Sequence, residues 1–171
     1  MNKITKEDFV EMVLKGEDMS GVDISHLTDM SYLFDGCYTL TTVPFFDTSN
    51  VVRMEGMFRE CTNLITVPQF DTSNVEYMYS MFSRCKKLKF VPSFNTSRVI
   101  DMRCMFEHCI NLTTVPKFDT SEAMFMSFMF YHCERLESVP KLDTSKATNM
   151  ANMFDGCKKL NKETIEYFEG K

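Results

Sequence analysis

A chain of 171 residues is long enough to form one domain around a continuous core. With 16 Phe and 15 Met but no Trp, that core must be filled by rings and flexible thioethers rather than by the usual leucines. The net charge of −5, spread over both signs, provides no basic face broad enough for nucleic acid as leading partner, and is too mild for an acidic mimic of DNA.

The amino terminus, MNKITKEDFVEMVLKGEDMSG, lacks the apolar core of about 7–15 residues found in a secretory signal. No stretch approaches the length needed to span a bilayer. The expectation is a cytoplasmic protein without membrane association, and an extracellular one if an export signal has been removed. Within this segment Thr5 is placed to cap a helix running through about Lys15, with Phe9, Val10, Val13 and Leu14 on one stripe and Gly16 as its stop. Residues 1–18 are therefore expected to form an amino-terminal capping helix.

From residue 19 to residue 160 the chain repeats with a period of 24 residues and no insertion. Cys37, Cys61, Cys85, Cys109, Cys133 and Cys157 fall in register, as do Phe34, Phe58, Phe82, Phe106, Phe130 and Phe154. Met30 to Met150 and Leu40 to Leu160 recur in the same way. Five copies add a Val-Pro pair, Val43-Pro44 to Val139-Pro140, and five add a Thr-Ser pair, Thr48-Ser49 to Thr144-Ser145.

Within one unit Val51, Met54, Phe58 and Cys61 are spaced three, four and three, which predicts one buried face of a short helix. Asp47-Thr48-Ser49 precedes it and can accept from the free N–H groups of its first turn; Asn95 takes the place of the Asp once and can cap similarly. Leu64, Val67 and Phe70 then run through an extended segment that Pro68 keeps short. One such unit cannot bury its apolar face alone, so neighbours must stack. The predicted fold is an α/β solenoid: a right-handed, leucine-rich-repeat-like stack of about six units, parallel short strands on one side and helices on the other.

The unit FDTSNV..M..MF..C..L..VP resembles the repeat of the BspA-type leucine-rich-repeat family, known from bacterial surface proteins and mobile elements. The resemblance covers about residues 19–160. It implies a leucine-rich-repeat-like solenoid used for binding, often adhesion.

Function is sought where the copies differ. On the outer side of the predicted helix the fifth unit carries Met124, Phe128 and Tyr131 at i, i+4 and i+7, flanked by Phe125. Neighbouring units add Ile100 and Cys104, and then Tyr77 and Tyr79. Aromatic and Met side chains in such a patch are what protein interfaces use, with a folded-over cap or a homodimer as the alternatives. The strand side is a second candidate surface, where Thr41, Thr42 and Phe45, then Ile65, Thr66 and Gln69, then Lys89, Phe90 and Ser93 vary. The basic run Arg84, Lys86, Lys87 and Lys89 lies near one end of it and can meet an acidic partner or serve as a solvated edge.

Six of the seven cysteines occupy one inward position, where they read as small buried hydrophobes with reduced thiols. Cys104 is expected on the outer face. His108 and His132 are one repeat apart and should lie side by side; with Cys104 they are the only group suggesting a metal site or a thiol–imidazole pair, and too few ligands converge for either. No phosphate-binding glycine loop or HExxH is present, and neither a cofactor nor a metal is expected.

Asn161 is placed to cap a final helix carrying Ile165 and Phe168, so residues 161–171 are expected as a carboxy-terminal capping helix on a complete protein. The functional expectation is a non-enzymatic protein-binding module, monomeric or weakly dimeric. It fits an intracellular inhibitor of a host protein, encoded by a phage or mobile element. The alternative is a cell-surface adhesion module.

Overall fold

The computed structural model describes residues 4–19 and 21–169. Helix α1 spans Lys6–Lys15, with the Thr5 hydroxyl accepting from the Asp8 N–H and Gly16 ending it in the left-handed region. Helix α2 spans Lys162–Glu169, and the Asn161 side chain accepts from the Thr164 N–H at 2.8 Å. These are the two helices among the described residues.

Between them the chain winds in 24-residue coils that are neither helical nor stranded. The N–H groups of Met54, Gly56, Phe58 and Glu60 donate to the carbonyls of Tyr77, Tyr79, Met81 and Ser83 on the next coil, at 2.7–3.0 Å. The same four bonds recur from Met30 through His132. The N–H groups in between close tight turns within the coil, as in Met57 to Met54, Arg59 to Gly56 and Cys61 to Phe58. Each alternate amide is therefore committed to a neighbouring coil, which leaves none for the i to i−4 ladder that an α-helix needs.

The predicted helix-plus-strand unit is thus corrected. Two residues of each coil, four apart, hold the left-handed conformation; in successive coils they are Tyr32 and Gly36, Gly56 and Glu60, Ser80 and Arg84, Cys104 and His108, Phe128 and His132, and Asn152 and Gly156. A right-handed helix cannot run through such residues. The strands predicted on the Val-Pro side are also absent among the described residues. One isolated parallel bridge, Thr114 to Ser138, lies there, whereas a chain of bridges from Asp29 through Arg53, Tyr77, Asp101 and Phe125 to Asn149 lies on the other side.

Apolar spacing misleads here because a run of tight turns also buries every third residue. Val51, Met54, Met57, Phe58 and Cys61 are buried, and the three-residue spacing continues without a break through Leu64, Val67 and Phe70, where Pro68 already excludes a helix. Side chains thus point inward all around the coil.

Stacking these inward positions forms the core. Phe34, Phe58, Phe82, Phe106, Phe130 and Phe154 make one column of near-parallel rings with centroids 5.5–5.7 Å apart. This lies in the favourable range for offset aromatic pairs, worth about 0.5–1.5 kcal/mol each beyond burial. Phe9 of α1 and Phe168 of α2 meet the two end rings, at 6.4 and 5.3 Å.

Polar members of the repeat tie coils together rather than capping helices. The buried Thr48, Thr72, Thr96 and Thr120 hydroxyls each donate to a main-chain carbonyl 23 residues on, at 2.8 Å. The preceding Asp47 carboxylate accepts from the Ser49 N–H two residues later, and Asn95 does the same for Ser97. The Cys61, Cys85, Cys109, Cys133 and Cys157 thiols donate to the Phe carbonyl 27 residues earlier, at 3.0–3.1 Å. Burial pushes Cys61 and Cys157 up to about 12 and the three between them well above the ordinary value, so the column stays protonated.

Candidate binding surface

The bridge residues carry the outward side chains of the turn side. Their register places a cation one coil from an aromatic ring. The Arg53 guanidinium lies 4.6 Å from the Tyr77 ring centre, and Arg103 lies 5.3 Å from both Tyr79 and Phe125. Arg103 is fixed from below by Asp101, which is 5% exposed and accepts from Nε at 2.9 Å and from Nη2.

Beside this cluster a second one forms around the histidines. His108 and His132 stack at 5.0 Å, as their one-repeat separation predicts, and Tyr131 meets both edge-on, at 5.5 and 4.4 Å. Phe128 meets Tyr131 at 5.4 Å. Burial holds His108 below its ordinary value; Glu107 opposes this, while His132, Arg84 and Lys86 act with burial. Glycine makes room in these columns: at Gly56 a Cβ would enter the Tyr32 ring, and at Gly156 it would lie 2.8 Å from the His132 ring.

The eight residues selected from the sequence therefore fall as follows. Tyr79 and Phe125 flank Arg103, Tyr77 lies under Arg53, and Phe128 packs on Tyr131. Met124 and Ile100 are neighbours through the Met124 N–H to Ile100 carbonyl bond. Met124 is exposed, and the other seven are half-buried. Cys104 is pushed up to about 11, chiefly by burial, so its thiolate is scarce at neutral pH. The i, i+4, i+7 stripe itself does not exist, because no helix carries it. Arg53, Asp101 and Arg103 were not selected, although cations 24 residues from aromatic residues in a fixed register were the available signal. Among the described residues no three His, Cys, Asp or Glu side chains converge as metal ligands.

Among the described residues the most exposed large apolar side chain is on the opposite, Val-Pro side: Phe45 is 68% exposed, and Phe90 and Ile65 on that side are 54% and 44% exposed. Among the described residues no helix is long and apolar enough to cross a membrane.

Stacked coils with a uniform interior and varied outer side chains define a leucine-rich-repeat-like protein. A family described as "Mycoplasma protein of unknown function, DUF285" matches residues 4–113 and again residues 65–168, and the chain belongs to that family. Among solved structures, a leucine-rich repeat protein from Eubacterium ventriosum ATCC 27560 is similar, with a TM-score of 0.59 at 19% identity. The match covers 80% of this chain and 36% of that one, so the chain spans little over a third of its length. No curated protein sequence matches.

Proposed function

We propose that the protein is a non-enzymatic protein-binding module whose contact surface is the turn side around Tyr77, Tyr79, Ile100, Cys104, Met124, Phe125, Phe128 and Tyr131. The observation that carries this reading is Arg103, clamped by Asp101 between two aromatic rings. Tyr and Arg held rigidly at a surface are the residue types that dominate protein interfaces, because little side-chain freedom remains to be lost on binding. A leucine-rich-repeat-like fold supports it, being built to present side chains over an extended face.

In its sharpest form the reading is an intracellular inhibitor of a host protein, encoded by a phage or mobile element. The similarity to BspA-type repeats favours the alternative, a surface adhesion module. Affinity capture from a lysate of the encoding organism, with wild type and a Met124→Lys, Phe128→Lys variant, tests both. One protein captured by the wild type and lost by the folded variant is the expected result, and addition of the module to that protein's own assay separates inhibition from adhesion. Capture of nothing by either form removes the reading.

A further inference from the structure

Several cations on this molecule pair with a carboxylate one coil away. Arg59 pairs with Asp35 at 2.7 Å, Lys146 with Glu122 at 2.6 Å and Lys158 with Glu134 at 2.9 Å, each 24 residues apart. Lys86, Lys87 and Lys89 do not: all three are exposed and, like Arg84 and Arg135, take part in no ion pair among the described residues, but they are grouped within four residues.

The reason is in the neighbouring coils. The Lys86 carbonyl accepts from the Asn111 side chain at 2.8 Å and the Lys89 carbonyl from the Thr113 N–H at 3.2 Å, so residues 110–116 lie alongside. On the other flank the register places residues 62–68. Neither segment contains an acidic residue, and nor does 38–44 one coil further. Within these four segments the three lysines are the only charged side chains, on a chain whose net charge is −5; the nearest carboxylates border them, Glu60 accepting from the Tyr38 hydroxyl and Asp71 and Asp119 following three residues beyond Pro68 and Pro116. Ile65 and Phe90 stand out of the same surface, 44% and 54% exposed. At about 4.8 Å between coils, the face is ~15 Å wide.

We propose that this Val-Pro face docks an acidic polypeptide segment that also carries apolar side chains. The inference rests on the protein-binding reading but places a second contact toward the Val-Pro side, with Lys86 at its border near His108 of the turn side. Unpaired ammonium groups select carboxylates and set the register, while Ile65 and Phe90 supply apolar contact. A nucleic acid is disfavoured because three cations release few counterions and the net negative charge repels a polyanion.

Fluorescence anisotropy decides it, with three labelled probes: a peptide of about 12 residues alternating Glu and Leu, the same peptide with Gln for Glu, and an oligothymidylate of similar length. The wild type should bind the Glu peptide about tenfold more tightly than the Gln peptide, with the advantage shrinking as salt rises. Lys86→Glu, Lys87→Glu, Lys89→Glu should abolish the advantage, and Phe90→Ser should weaken both peptides alike. Should the triple reversal unfold by circular dichroism, Lys86→Gln, Lys87→Gln, Lys89→Gln makes the same comparison. Equal binding of both peptides, an advantage that survives the lysine variants, or tighter binding of the oligothymidylate overturns the inference. Such a result leaves the turn-side reading standing on its own capture experiment, which the lysine variants should pass unchanged.

Discussion

The two sides of each coil are built differently. On the turn side, residues such as 54–61 send four N–H groups to the next coil and set Phe, Met and Cys side chains into the core. On the Val-Pro side the coils share single backbone bonds, such as Ile65 to Thr41 and Thr113 to Lys89, and proline removes a donor from each segment. Backbone hydrogen bonding between coils is therefore concentrated on one side and sparse on the other. The rigid side tolerates nine side chains in the left-handed conformation, at a cost of about 1–2 kcal/mol each, because the hydrogen bonds around them fix the backbone.

The largest expected effect comes from breaking the turn side at its centre. Phe82 is fully buried and stacks between Phe58 and Phe106 at 5.6 and 5.7 Å. Phe82→Ala should cost about 3–5 kcal/mol in urea denaturation. Next comes Thr96, whose hydroxyl is buried and donates to the Asp119 carbonyl. Thr96→Val keeps the shape and strands that carbonyl, for a loss of about 1–2 kcal/mol. A loss below about 0.3 kcal/mol would show that the repeated Thr is not a tie between coils.

A smaller effect is pH-dependent. His108 is held below 6.5 mainly by burial, so the unfolded chain takes up the proton more readily than the folded one. Stability should therefore fall as pH drops through about 6.5, toward 5.5. His108→Gln should flatten that slope in urea midpoints taken across the range. An unchanged slope would place the titrating group elsewhere.

Much of the architecture was legible in the sequence. The 24-residue register located the stacked rings, the side-by-side histidines and five of the six inward cysteines, the end-coil Cys37 being half-buried, because in-register residues must stack. Both terminal helices were legible from Thr5, Gly16 and Asn161, whose capping chemistry is local. The local conformation of the repeat was not, since burial at every third or fourth residue fits a helix and a run of turns alike. Gly56 in the middle of the supposed helix was the discordant sign, together with Gly36 and Gly156 four residues further along the repeat. The outer surface was misjudged for the same reason: a helical wheel placed Phe128 and Tyr131 in open solvent, whereas turns lay them on their neighbours.

The smallest expected effect tests the other side directly. Phe45 is the most exposed large apolar residue among the described residues, and Phe90 stands in a position where the equivalent residues are Thr42, Thr66 and Thr114. A ring that leaves most of its surface in water contributes little to folding; Thr already fits the Phe90 position in three other coils, and the Phe45 position is filled by Gln69, Ser93 and Lys117. Phe45→Thr and Phe90→Thr should each shift stability by less than about 0.5 kcal/mol by urea denaturation. A loss above about 1.5 kcal/mol in either would mean that the Val-Pro side shares the packing load, and the contrast between a densely and a sparsely bonded side would fail.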